Sequence, residues 1–268
     1  MNDIPLPASW FTGVPLAGDD ATVRAVLRSP SHPLVELVRQ TTPDEVRVLA
    51  AGVRSSVGAH ACFSYPQEYG ALHAAAALGA WIGPASDSIH EDLGGTVTIV
   101  RSGLGHRDDQ KWHVDSTPWR RPNAMTLLGQ VHLASGRSAP ATELLPLAMV
   151  DQAMSDYPAA LHALRSAPIP WRRNFPDRRP LVAPILALDA PRWVGSVLAD
   201  LEGHLDGELQ KAVDLFRATI DAMPPVRAVV KPGHLLMFDN RANLHRGPSI
   251  QQDVKRRLIR IKLGGEPD

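Results

Sequence analysis

Trp112-His113-Val114-Asp115-Ser116-Thr117 is the stretch on which the reading of the fold turns. Side chains on an extended backbone repeat with a period of two, so His113 and Asp115 project to one side, where they could chelate a single ion. A salt-linked surface pair has the same spacing, and the motif takes its meaning from what surrounds it. Upstream, Thr96-Val97-Thr98-Ile99-Val100 is a β-branched run preceded by the turn signal Gly94-Gly95. Downstream, an apolar run from Met125 to Leu133 follows the polar segment from Gly105 to Asn123. Two strands flanking a loop that carries His-x-Asp are therefore expected.

Further out, the first 90 residues read as helical, with segments from Asp20 to Arg28, Thr42 to Val57 and Gln67 to Ile82. Thr42 ahead of Pro43 places a capping residue before a proline in the first helical turn. Helical periodicity returns from Pro146 to Ala163 and from Leu205 to Met223, while Leu181 to Leu188, Ala228 to Lys231 and Leu235 to Phe238 read as short strands. Along the last strand, Arg257 to Leu263, side chains alternate: Arg256, Leu258, Arg260 and Lys262 take one face, and Arg257, Ile259, Ile261 and Leu263 the other. The pattern predicts an α+β chain. Residues 1–268 are expected to form one domain, with 1–90 a mainly helical N-terminal scaffold and 94–264 a strand-rich core with helical insertions. No internal repeat interrupts this reading.

Composition narrows the partners. The 28 basic and 28 acidic residues cancel and neither sign forms a long block, which argues against nucleic acid or anionic lipid and for a small-molecule substrate. Cys62 is the single cysteine, so an internal disulfide and a cysteine-based zinc site are excluded. The start MNDIPLPASW lacks a basic segment followed by an apolar one, and no apolar run reaches the roughly 18 residues needed to span a bilayer. A soluble, cytoplasmic protein is expected, and a homo-oligomer stays open.

A second motif, Phe238-Asp239-Asn240-Arg241-Ala242-Asn243-Leu244-His245-Arg246-Gly247, places His245 132 residues after His113. Two imidazoles and a carboxylate on one face of an octahedron suit iron(II), because three positions stay open for cosubstrate and oxygen. Arg256 follows His245 by 11 residues, and Arg260 comes four later on the same strand face. Guanidinium forks bind carboxylates in bidentate fashion, so inward-facing arginines call for an anion, whereas a solvated edge strand would leave them in water.

His-x-Asp, then Asp-Asn-Arg…His, then Arg-x-x-x-Arg, in this order and spacing, resembles the TauD/TfdA and clavaminate synthase-like family of iron(II), 2-oxoglutarate-dependent oxygenases. The likeness runs from about Thr96 to Leu263, and Phe63 to Gly83 also looks like the helix that precedes the core in that family. It implies a double-stranded β-helix, a distorted jelly roll, with flanking helices. It further implies His113, Asp115 and His245 as ligands of Fe(II), and Arg256 as anchor for the distal carboxylate of 2-oxoglutarate. If the last strand is shifted by one residue, Arg257 takes the anchoring role. Thr142, in Ala139-Pro140-Ala141-Thr142-Glu143-Leu144, is similar to the threonine that holds the same carboxylate, although the preceding residues depart from the family's Gly-Gly-x-Thr. Arg260 would sit near the other end of the cosubstrate or near the substrate.

The activity implied is hydroxylation by O2, with 2-oxoglutarate decarboxylated to succinate, of a small polar substrate bearing a carboxylate, such as a free or derivatised amino acid. Retention of Asp115 favours hydroxylation over halogenation, in which a small residue replaces that carboxylate. Ser116, Trp119 and Arg120, together with the loop Arg172-Arg173-Asn174-Phe175, are the candidates for substrate contact; an exposed basic loop would look the same. Two other functions use the same residues. A zinc hydrolase would need the three ligands and no role for Arg256. A non-catalytic small-molecule-binding protein would keep the fold without turnover.

Overall fold

The computed structural model describes residues 3–12, 25–26, 29, 31–41, 44, 60–66, 69–82, 97–101, 111–132, 141–171, 181–188, 190–195, 198, 201, 203–247 and 257–265. The expected helices from Asp20 to Arg28 and from Thr42 to Val57 lie, but for a few residues, outside these, as do Arg256 and the loop from Arg172 to Phe175.

In chain order the described elements begin with β1 (Ile4–Pro5), α1 (Ser9–Thr12), α2 (Pro33–Thr41), β2 (His60–Ser64) and α3 (Gly70–Ile82). Then come β3 (Val97–Arg101), β4 (Met125–His132), β5 (Ala141–Pro146), α4 (Leu147–Ala153), α5 (Pro158–Ser166), β6 (Ile169–Trp171) and β7 (Leu181–Ala183). The last are α6 (Gly207–Ala222), β8 (Val226–Val229), β9 (His234–Asp239), β10 (Asn243–Arg246) and β11 (Arg257–Leu263). This is a mixed α and β chain.

The strands make a six-stranded sheet ordered β1-β2-β9-β4-β11-β3, a three-stranded sheet β10-β5-β8 and the small pair β6-β7. Apart from the parallel β1-β2 pair, the strand pairs are antiparallel. Alternation along the strands then sorts side chains into layers. Ala61, Phe63, Met125, Leu127, Leu235, Met237, Ile259, Ile261 and Leu263 pack with α1, α2 and α3. The opposite face contributes Cys62, Leu128, Leu236, Phe238 and Leu258, which meet Leu144 and Ala228 of the smaller sheet. Leu145 and Leu244 turn the other way, into a cluster with residues of α4, α5 and α6. Two sheets thus lie face to face between two helical layers.

Several elements differ from the sequence expectation, each for a physical reason. The run from Pro146 to Ala163 is two helices, because Pro158 has no amide hydrogen to donate and opens a new helix at its first turn. The strand from Leu181 ends at Ala183, immediately before Pro184, rather than reaching Leu188. The strand β2 was not expected: His60-Ala61-Cys62-Phe63-Ser64 carries no β-branched residue, yet it pairs along its whole length with β9. The helix α3 is buried on nearly every side from Ala71 to Ala80, the property of a helix apolar all round.

Candidate metal centre

His113 and His245 are joined by their own backbones. His113 N–H donates to His245 C=O at 3.0 Å and His245 N–H to His113 C=O at 2.9 Å, the reciprocal pattern of an antiparallel pair. On the other side Val114 N–H donates to Trp193 C=O at 2.9 Å, so the loop is held from two directions. The two imidazoles stand with centroids 4.1 Å apart. Asp115 reaches the same point: its Oδ2 is 3.6 Å from His245 Nε2, and its Oδ1 is 4.0 Å from His113 Nε2.

One ligand atom from each of the three lies within 4.8 Å of the others, and among the described residues this is the one group so arranged. His113 Nδ1 donates to Lys111 C=O at 2.9 Å, which fixes the tautomer and makes Nε2, 4.0 Å from Asp115 Oδ1, the ligand atom. Burial, with the neighbouring His245, pushes the His113 pKa down to about 3, so the ring is a neutral ligand at physiological pH. Burial alone would raise Asp115, but Arg260, Lys262 and the hydrogen-bonded His245 together hold its carboxyl well below the ordinary carboxylate range. The neutral His113 ring, the His245 imidazole and one carboxylate, with no fourth protein ligand among the described residues, fit a divalent ion that keeps open positions.

The motif that contributes His245 also builds the turn before it. Asp239 Oδ1 accepts from Arg241 N–H at 2.7 Å and from Ala242 N–H at 3.0 Å. Asn240 is buried and clasps Asp115 as a backbone strand would: its Oδ1 accepts the Asp115 N–H at 2.9 Å, and its Nδ2 donates to the Asp115 C=O at 3.2 Å. The same Nδ2 donates to Asn123 C=O at 2.9 Å. Arg241 donates from Nε and Nη2 to Pro122 C=O and from Nη2 to Gly264 C=O, fastening the turn to the end of β11.

The other anticipated residues are placed as follows. Arg260 Nη1 donates to Asp115 Oδ1 at 2.9 Å. Thr142 is buried on β5, two residues before Leu144, which pairs in register with His245, so Thr142 and Leu144 share a sheet face. Arg257, the alternative anchor, is exposed at the start of β11, one residue before the inward-facing Leu258. Ser116 is buried with φ 59°, and this left-handed turn reverses the chain directly after Asp115. Trp119 is buried, whereas Arg120 is exposed.

Two residues escaped the sequence reading. Arg192 is buried and donates to the carbonyls of Thr117, Ala190, Trp119 and Arg120 at 2.7–3.1 Å, so it holds the loop that follows the metal motif. Lys262 is buried on β11 with Nζ 3.4 Å from Asp115 Oδ1. Burial pulls its ammonium down to about 8, against the attraction of Asp115. The alternation of β11 already put Lys262 beside Arg260, and that was the signal available.

The fold is that of non-haem iron oxygenases, a likeness extending over almost the whole chain. OrfP in complex with Fe matches with a TM-score of 0.68 at 16% identity, over 98% of this chain and 94% of that one. Asparagine oxygenase in complex with Fe(II), 2S,3S-3-hydroxyasparagine and succinate matches with a TM-score of 0.67 at 16% identity, over 98% and 93%. OrfP with Fe and alpha-ketoglutaric acid matches with a TM-score of 0.68 at 14% identity, over 98% and 94%. No protein-family model and no curated protein matches the sequence.

Proposed function

We propose that this chain is an Fe(II)/2-oxoglutarate-dependent dioxygenase of the TauD/TfdA and clavaminate synthase-like family, hydroxylating a small polar substrate with a carboxylate, such as a free or derivatised amino acid. The observation that carries the reading is the convergence of His113, Asp115 and His245 on one buried point with Arg260 beside it. The facing sheets support a distorted double-stranded β-helix formed as one domain over residues 1–268. The neighbours support the substrate class, since one is an asparagine oxygenase and OrfP has been crystallised with L-canavanine.

When bound, iron, O2 and 2-oxoglutarate supply the oxidation: one oxygen atom enters a substrate C–H bond, the other enters succinate, and carbon dioxide leaves. The chain's own work is to hold and to position. His113 and His245 present imidazole nitrogens, Asp115 a charged oxygen, and Asn240 keeps Asp115 in line. Arg256 and Thr142 take the distal carboxylate of the cosubstrate, while Arg260 sits at the metal end. Ser116, Trp119 and Arg120 border the substrate side. Among the described residues no helix is long and apolar enough to cross a membrane.

Anaerobic addition of iron(II) and 2-oxoglutarate to apo-protein tests the reading. A weak visible charge-transfer band is expected in the wild type and its loss in His245→Ala, followed by succinate release once oxygen and an amino-acid panel are supplied. Absence of the band in the wild type would overturn it and bring a zinc hydrolase or a non-catalytic binding protein forward.

A further inference from the structure

Lys262 is a buried ionisable group beside the metal ligands, and the proposed reaction gives it no task. It sits on β11 two residues after Arg260, and the two pair across β4 with Thr126 and Leu128 respectively. Its side chain is 5% exposed and that of Arg260 12%. Both cations converge on one atom, Asp115 Oδ1, at 3.4 Å from Lys262 Nζ and 2.9 Å from Arg260 Nη1. Oδ2 of the same carboxylate lies 3.6 Å from His245 Nε2 and 3.5 Å from the Thr126 hydroxyl.

One carboxylate is thus set against two buried cations, and a divalent metal on the triad enlarges the positive excess. Arg260 alone would neutralise Asp115. A second buried cation is costly unless an anion meets it, and a metal close by raises the cost further. Among the described residues, moreover, buried Arg260 Nε finds no hydrogen-bond partner, so the arginine has a donor to spare for an incoming acceptor. Counting Asp115, Arg260, Lys262 and a divalent metal, an excess of three positive charges falls to one when the metal arrives with a dianionic ligand, and a neutral chelator would leave all three.

We propose that Lys262 is a cosubstrate-binding residue: with Arg260 it makes the wall beside the metal select a dianion whose metal-binding end carries a carboxylate. This rests on the oxygenase reading and adds a residue to it. A residue of this kind has opposite effects on the two ligands, because a nearby positive charge repels the metal and attracts the dianion. A lysine that merely fills space would, on removal, weaken both.

Titration calorimetry under nitrogen separates these cases, with cobalt(II) added alone to apo-protein and 2-oxoglutarate then added to the cobalt-loaded protein. In Lys262→Met, cobalt(II) is expected to bind roughly tenfold tighter and 2-oxoglutarate roughly tenfold weaker, with Lys262→Arg returning both toward wild type. If Lys262→Met does not fold, Lys262→Gln removes the charge, keeps a donor for Asp115, and carries the same expectation. Both affinities falling together, or neither moving in a wild type that binds both ligands, overturns the role of Lys262 alone. A wild type that binds neither cobalt(II) nor 2-oxoglutarate overturns the oxygenase reading and the assignment with it.

Discussion

Asn240 makes no contact with a ligand atom in this site, yet it determines where Asp115 stands. Its carboxamide satisfies both the N–H and the C=O of Asp115 and ties them to Asn123. Asn240→Ala would leave buried backbone groups unpaired, a loss of about 2–3 kcal/mol in stability. It should also weaken cobalt(II) binding without changing the ligand set. Urea unfolding and a cobalt(II) titration check this together; a variant destabilised but binding metal as tightly as wild type would reduce Asn240 to a purely structural residue. At this scale the triad was legible because His-x-Asp and a distant histidine have a recognisable spacing. Lys262 and Arg192 were not, because a single lysine on an alternating strand, or an arginine between Pro191 and Trp193, looks in sequence like any solvated cation, and only the fold buries it.

The helix α3 carries a titratable group into the helical layer. His73 is buried with its ring 5.1 Å from that of Phe11 and 5.6 Å from that of Tyr69. Burial lowers its pKa below the ordinary 6.5, with a hydrogen bond to the Trp10 backbone acting in the opposite sense. The unfolded chain therefore takes up the proton at higher pH than the folded one. The contribution of His73 is present above about pH 6.5 and is lost as the pH falls toward the folded value. His73→Leu should accordingly narrow the gap between urea midpoints measured at about pH 7.5 and about pH 5; an unchanged gap would show that acid sensitivity resides elsewhere. Among the elements, β11 was readable to the residue because its two faces alternate between different layers, Leu258 with one cluster and Ile259 and Ile261 with another. The strand β2 was opaque, since its pairing with β9 comes from residues 170 or more positions away and not from local preference.

For the whole molecule, the metal site is assembled from segments that meet only when the two sheets close on each other. Whatever binds there binds the folded chain alone. Cobalt(II), and then 2-oxoglutarate, at about a hundredfold excess over their dissociation constants should each add about 2.7 kcal/mol. That corresponds to a rise in Tm on the order of 5 °C for a chain of this size. Asp115→Ala should show neither rise in thermal unfolding, and a rise that survives in this variant would place the binding elsewhere. The layered arrangement itself was not legible from periodicity, because a sheet order such as β2-β9-β4-β11 brings together strands far apart in sequence. It was expected only through resemblance of motifs.

The reciprocal main-chain bonds between His113 and His245 are blind to the side chains they carry. Asn240 likewise grips the peptide of Asp115 and not its carboxylate. The scaffold and the donor set are therefore separate inheritances. A lineage carrying this sequence could exchange the third ligand by a single codon change and keep both imidazoles facing each other, so new reactivity on this frame is reached in short evolutionary steps.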